Sequence, residues 1–263
     1  MQHLVWDLDP VFFSVGPLTV HWYGVLFAAA ILSGLQVMKW IFQTEKQDIT
    51  ALDNLLVYIV IGVIVGARLG HCFFYDPGYY FANPMKILAI WEGGLASHGG
   101  GLGAIIAAGI YSRKHQMNFI WLLDRLAICT ALFGFFVRSA NFVNSEILGT
   151  ASNVPWAVVF SRIDNVARHP SQLYEAFPYL TLFFILIIFT VLIYRQEAII
   201  GTIKFSILFT ISIVMAIFGG LMDSKKYLGV DNSSMYVNIF SISILSLFLS
   251  FLVFLLTCVH HKG

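Results

Sequence analysis

Apolar and polar positions along this chain sort into long hydrophobic runs separated by short polar breaks, and most runs have the length of membrane spans. The breaks place spans at about residues 18–42, 52–75, 102–111, 119–137, 173–194, 199–222 and 236–259, seven in all. A hydrocarbon core of ~30 Å calls for about 20 apolar residues per helix. Residues 1–17 mix Trp6, Phe12 and Phe13 with Asp7, Pro10, Gly16 and Pro17, the composition of a segment lying at headgroup level. Residues 76–92 are aromatic but broken by Pro77, Gly78 and Pro84, which predicts a re-entrant or interfacial segment. Gly62, Gly66 and Gly70 form a small-residue row at four-residue spacing that admits another helix closely. The resulting expectation is an all-α membrane protein: one polytopic domain over residues 1–263, with about seven transmembrane helices and one larger loop region at about 138–172.

Composition agrees with the pattern. Of 263 residues, 59% are apolar and 11% charged, and the mean hydropathy is +0.82, outside the balance of a soluble domain. A net charge of +1 supplies no basic field for nucleic acid and no acidic tail. Cys72, Cys129 and Cys258 lie in apolar runs at spacings that fit neither a metal knuckle nor a redox pair, so they read as packing residues. There is no nucleophile elbow, no His-Glu-x-x-His and no metal-ligand spacing, and neither metal nor cofactor is expected. The first ten residues carry Asp7 and Asp9 but no Lys or Arg, so no cleaved leader is expected.

With the N-terminus outside, Lys46, Arg113, Lys114, Arg195 and Lys262 fall on the cytoplasmic side, as the positive-inside rule prefers. Arg138, Arg162, Arg168, Lys225 and Lys226 then lie outside, in loops suited to an anionic headgroup; the inverted orientation is the alternative. No internal repeat is visible, which argues against a transporter of inverted halves.

Candidate chemistry concentrates in residues 97–149, where two polar clusters flank hydrophobic sequence long enough to cross a bilayer, so both clusters can reach one membrane face. His98 precedes Gly99, Gly100, Gly101 and Gly103 at the start of a membrane helix. Two readings are open: exposed N–H groups at a helix N-terminus that stabilise a phosphate, with His98 as base or donor beside them, or glycines that permit close packing while His98 reaches the interface. Arg138, Asn141, Asn144 and Glu146 cluster within nine residues at the end of the following span. An arginine there suits a two-pronged grip on a phosphodiester, with Glu146 orienting it and Asn141 bonding a glycerol or carbonyl oxygen; the alternative is a surface ion pair. In His169-Pro170-Ser171-Gln172-Leu173-Tyr174-Glu175, Ser171 is placed to cap a helix, with Gln172 or Glu175 serving its first turn. Tyr23 offers a phenol near the outer face, the usual place of an interfacial anchor.

At these residues the chain resembles the prolipoprotein diacylglyceryl transferase family. The likeness covers about residues 6–194 and rests on Trp6-Asp7-Leu8-Asp9-Pro10, Trp22-Tyr23-Gly24, Gly66-Ala67-Arg68-Leu69-Gly70, His98-Gly99-Gly100, the run 138–149 in its Arg, Asn, Phe, Asn, Glu and Gly positions, and the run 169–176. The resemblance implies a seven-helix bacterial inner-membrane enzyme with a periplasmic N-terminus, a cytoplasmic C-terminus and a periplasmic 138–172 loop region. It implies transfer of the diacylglyceryl group of phosphatidylglycerol to the lipobox cysteine thiol of a preprolipoprotein, forming a thioether and releasing glycerol phosphate. It carries catalytic roles to His98 and Arg138, and substrate binding to Tyr23, Gly99, Gly100, Arg138, Asn141, Glu146 and Gly149. One departure stands out: the family has a tyrosine, an arginine and a glutamate at four-residue spacing in the sixth span, and residues 201–222 contain none of these. Asp223, Lys225 and Lys226 follow just beyond, and Val137 and Ala140 stand where the family has glycines. The alternative is therefore a divergent paralogue that binds phospholipid or lipoprotein without catalysis, or uses another lipid donor or acceptor.

Overall fold

The computed structural model describes residues 3–194. The elements run β1 (Leu4–Trp6), β2 (Val11–Val15), β3 (Leu18–His21), α1 (Trp22–Thr44), α2 (Thr50–Phe74), α3 (Pro77–Ala82), two 3-10 turns (Pro84–Leu88 and Ile90–Glu92), α4 (Ser97–Lys114), α5 (Phe119–Val143), β4 (Val158–Phe160), β5 (Ala167–Arg168) and α6 (Ser171–Tyr194). Among the described residues, α1, α2, α5 and α6 are long and apolar enough to cross a membrane, and the chain is a mostly helical, multi-pass membrane protein. The last two expected spans lie outside the described residues, as do Cys258, Asp223, Lys225 and Lys226.

The chain divides into two compact units, Met1–Val37 with Ala127–Gly263, and Met38–Leu126. In the first, the expectation of a helix from residue 18 is corrected: Leu4–Trp6, Val11–Val15 and Leu18–His21 form strands, and α1 begins only at Trp22. Val11-Phe12-Phe13-Ser14-Val15 is rich in strand formers, and Gly16, at φ +57°, opens the two-residue turn that pairs Val15 with Leu18. β1 lies parallel to β4, and β5 runs antiparallel on β4's other side. Phe142 from α5 packs on this small sheet, buried with Val158 and Phe160 and flanked by Trp6, Leu148 and Leu173. A second correction concerns the polar loop: α5 continues to Val143, so Arg138 and Asn141 are helical, where a cation near a helix C-terminus is favoured by the backbone dipole. Two arginines read as loop charges are engaged locally. Arg168 pairs with Asp164 at 2.6 Å and Arg162 donates to the Leu8 carbonyl at 3.3 Å. Hydrogen bonds from Arg168 and the Val166 amide hold the Asp164 carboxyl below its ordinary value, so the stabilisation from this pair is present near neutrality and is lost as pH falls through that lowered value.

In the second unit α2 and α4 pack antiparallel through their glycines. A Cβ at Gly66 would fall on the Gly99 carbonyl oxygen and stand 2.8 Å from the Gly103 Cα; one at Gly62 would meet the Ala107 Cβ at 2.5 Å and the Gly103 carbonyl at 2.6 Å. The predicted small-residue row thus has its partner in α4. Gly66→Leu is expected to separate the pair at a cost of about 1–3 kcal/mol or more, read as a lowered thermal midpoint in detergent. A polar cluster joins the ends of α1 and α5 that lie in this unit: Arg125 bonds both Glu45 oxygens at 2.7 and 2.8 Å, stacks over Trp121 at 4.9 Å and reaches Asp124 at 3.2 Å.

Candidate functional site

The first unit builds its polar centre where α5 ends. Ser145, at φ +57°, stops the helix with two returning bonds, Ser145 N–H to the Phe142 carbonyl at 3.1 Å and Glu146 N–H to the Asn141 carbonyl at 2.8 Å, the pairing of a Schellman motif. This turn swings the Glu146 carboxylate back over the helix, where Asn141 Nδ2 donates to it at 3.0 Å and Asn144 Nδ2 at 3.3 Å. The carboxylate attracts both amide NH2 groups, which leaves Asn141 Oδ1 turned away, buried and without a donor among the described residues. Ile147 also sits at φ +53°, a conformation a β-branched residue adopts only at a cost of about 1–3 kcal/mol.

The start of α6 holds this strained loop in place. Ser171 Oγ donates to the Ile147 carbonyl at 2.8 Å, Gln172 Nε2 donates to the Glu146 carbonyl, and Gly149 N–H bonds the His169 carbonyl at 3.2 Å. A Cβ at Gly149 would collide with that same carbonyl, so the glycine is required for backbone-to-backbone approach. The expectation that Ser171, Gln172 and Glu175 serve their own helix is corrected. The carbonyls of His169 and Pro170 satisfy the first-turn amides of Ser171, Leu173 and Tyr174, which frees the side chains to bind the neighbouring loop and helix.

Glu175 is the partner that sequence reasoning missed. Its carboxylate meets Arg138 Nε at 2.7 Å, with the side chains 8% and 15% exposed; the arginine is therefore oriented by α6, while Glu146 orients asparagines. One turn further along the pair, the ring of Tyr179 lies against Gly134, where a Cβ would stand 2.9 Å from the ring. Residues 134 and 138 on α5 thus face 179 and 175 on α6 in antiparallel register. The visible signal was helical spacing: Ser171, Glu175 and Tyr179 recur every four residues on one face. Tyr23 lies within electrostatic reach of both Glu146 and Arg138. Tyr23, Arg138, Asn141, Glu146 and Gly149 therefore belong to one neighbourhood of the first unit. Among the described residues no hydrogen bond engages the Nη groups of Arg138, so the outer edge of the fork is available to a second acceptor.

In the second unit, His98 is the exposed second residue of α4. Ala96 precedes the helix without a side-chain cap, and its N–H bonds the Ala67 carbonyl at 2.9 Å. The amides of Ser97, His98 and Gly99 have no acceptor among the described residues. Of the two open readings of the glycine run, close packing accounts for part of it. Gly99 and Gly103 serve packing on α2, Gly100 is buried beside Ala67 and Val63, and Gly101 faces open space.

The described residues form a polytopic helical membrane protein in which a guanidinium is fixed at a helix end by a buried carboxylate. Its sequence matches the family described as prolipoprotein diacylglyceryl transferase over residues 10–258, and the chain belongs to that family of transferases. A phosphatidylglycerol-prolipoprotein diacylglyceryl transferase of Tolumonas auensis is 53% identical over 185 residues, 70% of this chain and 72% of the relative. Proteins of the same name from Chloroherpeton thalassium and Rickettsia rickettsii are 45% and 42% identical, covering 69% and 72% of this chain and 68% and 71% of their own lengths.

Proposed function

We propose that this protein transfers the diacylglyceryl group of phosphatidylglycerol to the thiol of a lipobox cysteine in a preprolipoprotein, in the bacterial inner membrane, with the N-terminus and the 138–172 region periplasmic and the C-terminus cytoplasmic. The observation that carries the reading is Arg138, held through Nε by Glu175 with no hydrogen bond on its outer edge among the described residues. In the reaction the thiolate attacks the glyceryl carbon, a C–S bond forms, the C–O bond to phosphate breaks, and glycerol phosphate leaves with the electron pair. Charge develops on the departing phosphate, and a preorganised guanidinium opposes it without reorganising. Asn141, whose Oδ1 lacks a donor among the described residues, accepts from a headgroup hydroxyl, and Glu146 sets the direction of its amide. Tyr23 and Gly149 complete the binding face. His98 with Gly99 and Gly100, in the uncapped first turn of α4, supplies N–H groups for the anion and an imidazole to take the thiol proton, since the thiolate is the nucleophile. The reactive sulfur belongs to the substrate. This chain's Cys72 is buried and has no part in transfer.

The missing arginine, glutamate and tyrosine of residues 201–222, which lie outside the described residues, favour a second reading: a relative that binds phospholipid or lipoprotein without transfer, or uses another lipid donor or acceptor. Reconstituted protein, phosphatidylglycerol vesicles and a lipobox peptide separate the two. The expected result is a peptide heavier by one diacylglyceryl group with glycerol phosphate released. An unmodified peptide beside an active control enzyme would leave the second reading.

A further inference from the structure

The motif Gly66-Ala67-Arg68-Leu69-Gly70 contains one residue that neither helix packing nor the proposed chemistry uses. Arg68 is 3% exposed, and its hydrogen-bond partners are main-chain carbonyls of the irregular segment between α3 and α4. Nε donates to Ile87 at 2.9 Å, Nη2 to Lys86 at 2.5 Å, and Nη1 to Gly93 and, at 3.2 Å, to Gly94. Its guanidinium also lies 5.2 Å from the centre of the Tyr80 ring. A segment of short helix and 3-10 turns leaves carbonyls that no regular ladder satisfies, and apolar surroundings make each such group costly. One arginine bonds four carbonyls of the segment, of which Lys86's also accepts the Ala89 N–H at 3.2 Å, because its donors fan out in a fixed plane. The return leg then turns at Gly93 and Gly94, at φ +82° and +71°, and docks through the Ala96 N–H on the carbonyl of Ala67, the residue beside Arg68. Two residues further on stands His98.

We infer that Arg68 is a positioning residue: by gathering the carbonyls of residues 86, 87, 93 and 94 it fixes the path into α4 and so the placement of His98 and the first-turn amides. The importance of that placement for turnover rests on the transferase reading above. Loosening the hub lets α4's first turn wander while the α2–α4 glycine contact persists, so the defect is local and falls on turnover.

The test compares Arg68→Gln, Arg68→Lys and Gly94→Ala with wild type, all as full-length protein. Gly94→Ala retains the cation but drives a Cβ to 2.9 Å from Arg68 Nη1 and 2.6 Å from the His71 ring, so it perturbs the hub even if Arg68→Gln does not fold. Amide exchange followed by mass is expected to rise at least tenfold over residues 84–99 and to stay unchanged over 127–143. Per folded molecule, kcat for lipidation of a lipobox peptide on phosphatidylglycerol vesicles is expected to fall at least tenfold, with the peptide KM within twofold. Arg68→Lys should lie between wild type and Arg68→Gln. Wild-type kcat in the variants would overturn the inference, as would activity lost only in proportion to folded protein with exchange raised in every helix. If the wild-type protein itself lipidates no peptide, the transferase reading fails, and local exchange alone decides whether Arg68 fixes the first turn of α4.

Discussion

Arg138→Ala is expected to lose peptide lipidation by about 100- to 1,000-fold, the scale seen when one preorganised donor to a developing negative charge is removed. The cause is specific to the arginine's shape as well as its charge. Glu175 occupies Nε, leaving the Nη edge to bond two oxygens of one phosphate, and a lysine in the same place offers a point charge on a flexible stem. Arg138→Lys should therefore recover only part of the lost rate and need more phosphatidylglycerol in the vesicles for half-maximal turnover. Initial rates at several lipid contents, normalised to folded protein by circular dichroism, measure both effects. Full activity in Arg138→Ala would remove Arg138 from the reaction altogether.

Glu175→Ala should damage the protein in a different order, stability first. Removing one partner of a buried ion pair leaves the other charge uncompensated and typically costs about 3–5 kcal/mol; here the stranded group is Arg138 at the end of α5. Thermal unfolding in detergent should show the loss, and Glu175→Gln, which retains an acceptor oxygen but no charge, should lose less. In the double variant Glu175→Ala with Arg138→Ala the stranded charge is gone, so its loss of stability should be smaller than the sum of the two single losses, the mark of coupled residues. Additive losses would mean that the two side chains do not share an interaction worth measuring. Glu146→Gln serves as the contrast: it touches Asn141 and Asn144 and should leave the α5–α6 pair intact.

Much of this was readable before any coordinates. Hydrophobic run length announced the membrane helices, since a bilayer imposes one length scale on every spanning segment, and the glycines of residues 62, 66 and 70 announced a close neighbour because nothing else explains small residues in a row on an apolar helix. The run 138–149 declared its polar cluster and its family. The strand Leu4–Trp6 was not readable in the same way: it pairs with Val158–Phe160, 154 positions later, and pairing at that distance leaves no local periodicity to follow, whereas the hairpin of Val11–Val15 and Leu18–His21 had its local signal in strand-forming residues and Gly16.

Sequence by itself determined the class of protein and the approximate places of its described spans, because these depend on local composition and on motifs a few residues long. Tertiary structure decided who holds whom. Arg138 answers to Glu175 and not to Glu146, which is nearer in the chain, because a Schellman turn at Ser145 points Glu146 at asparagines while the antiparallel register of α5 and α6 brings residue 175 opposite residue 138. Arg68 answers to four carbonyls up to 26 residues away because an irregular segment must find donors wherever the fold supplies them. Such partnerships follow from where helices cross and turns fall, which no stretch of sequence encodes alone.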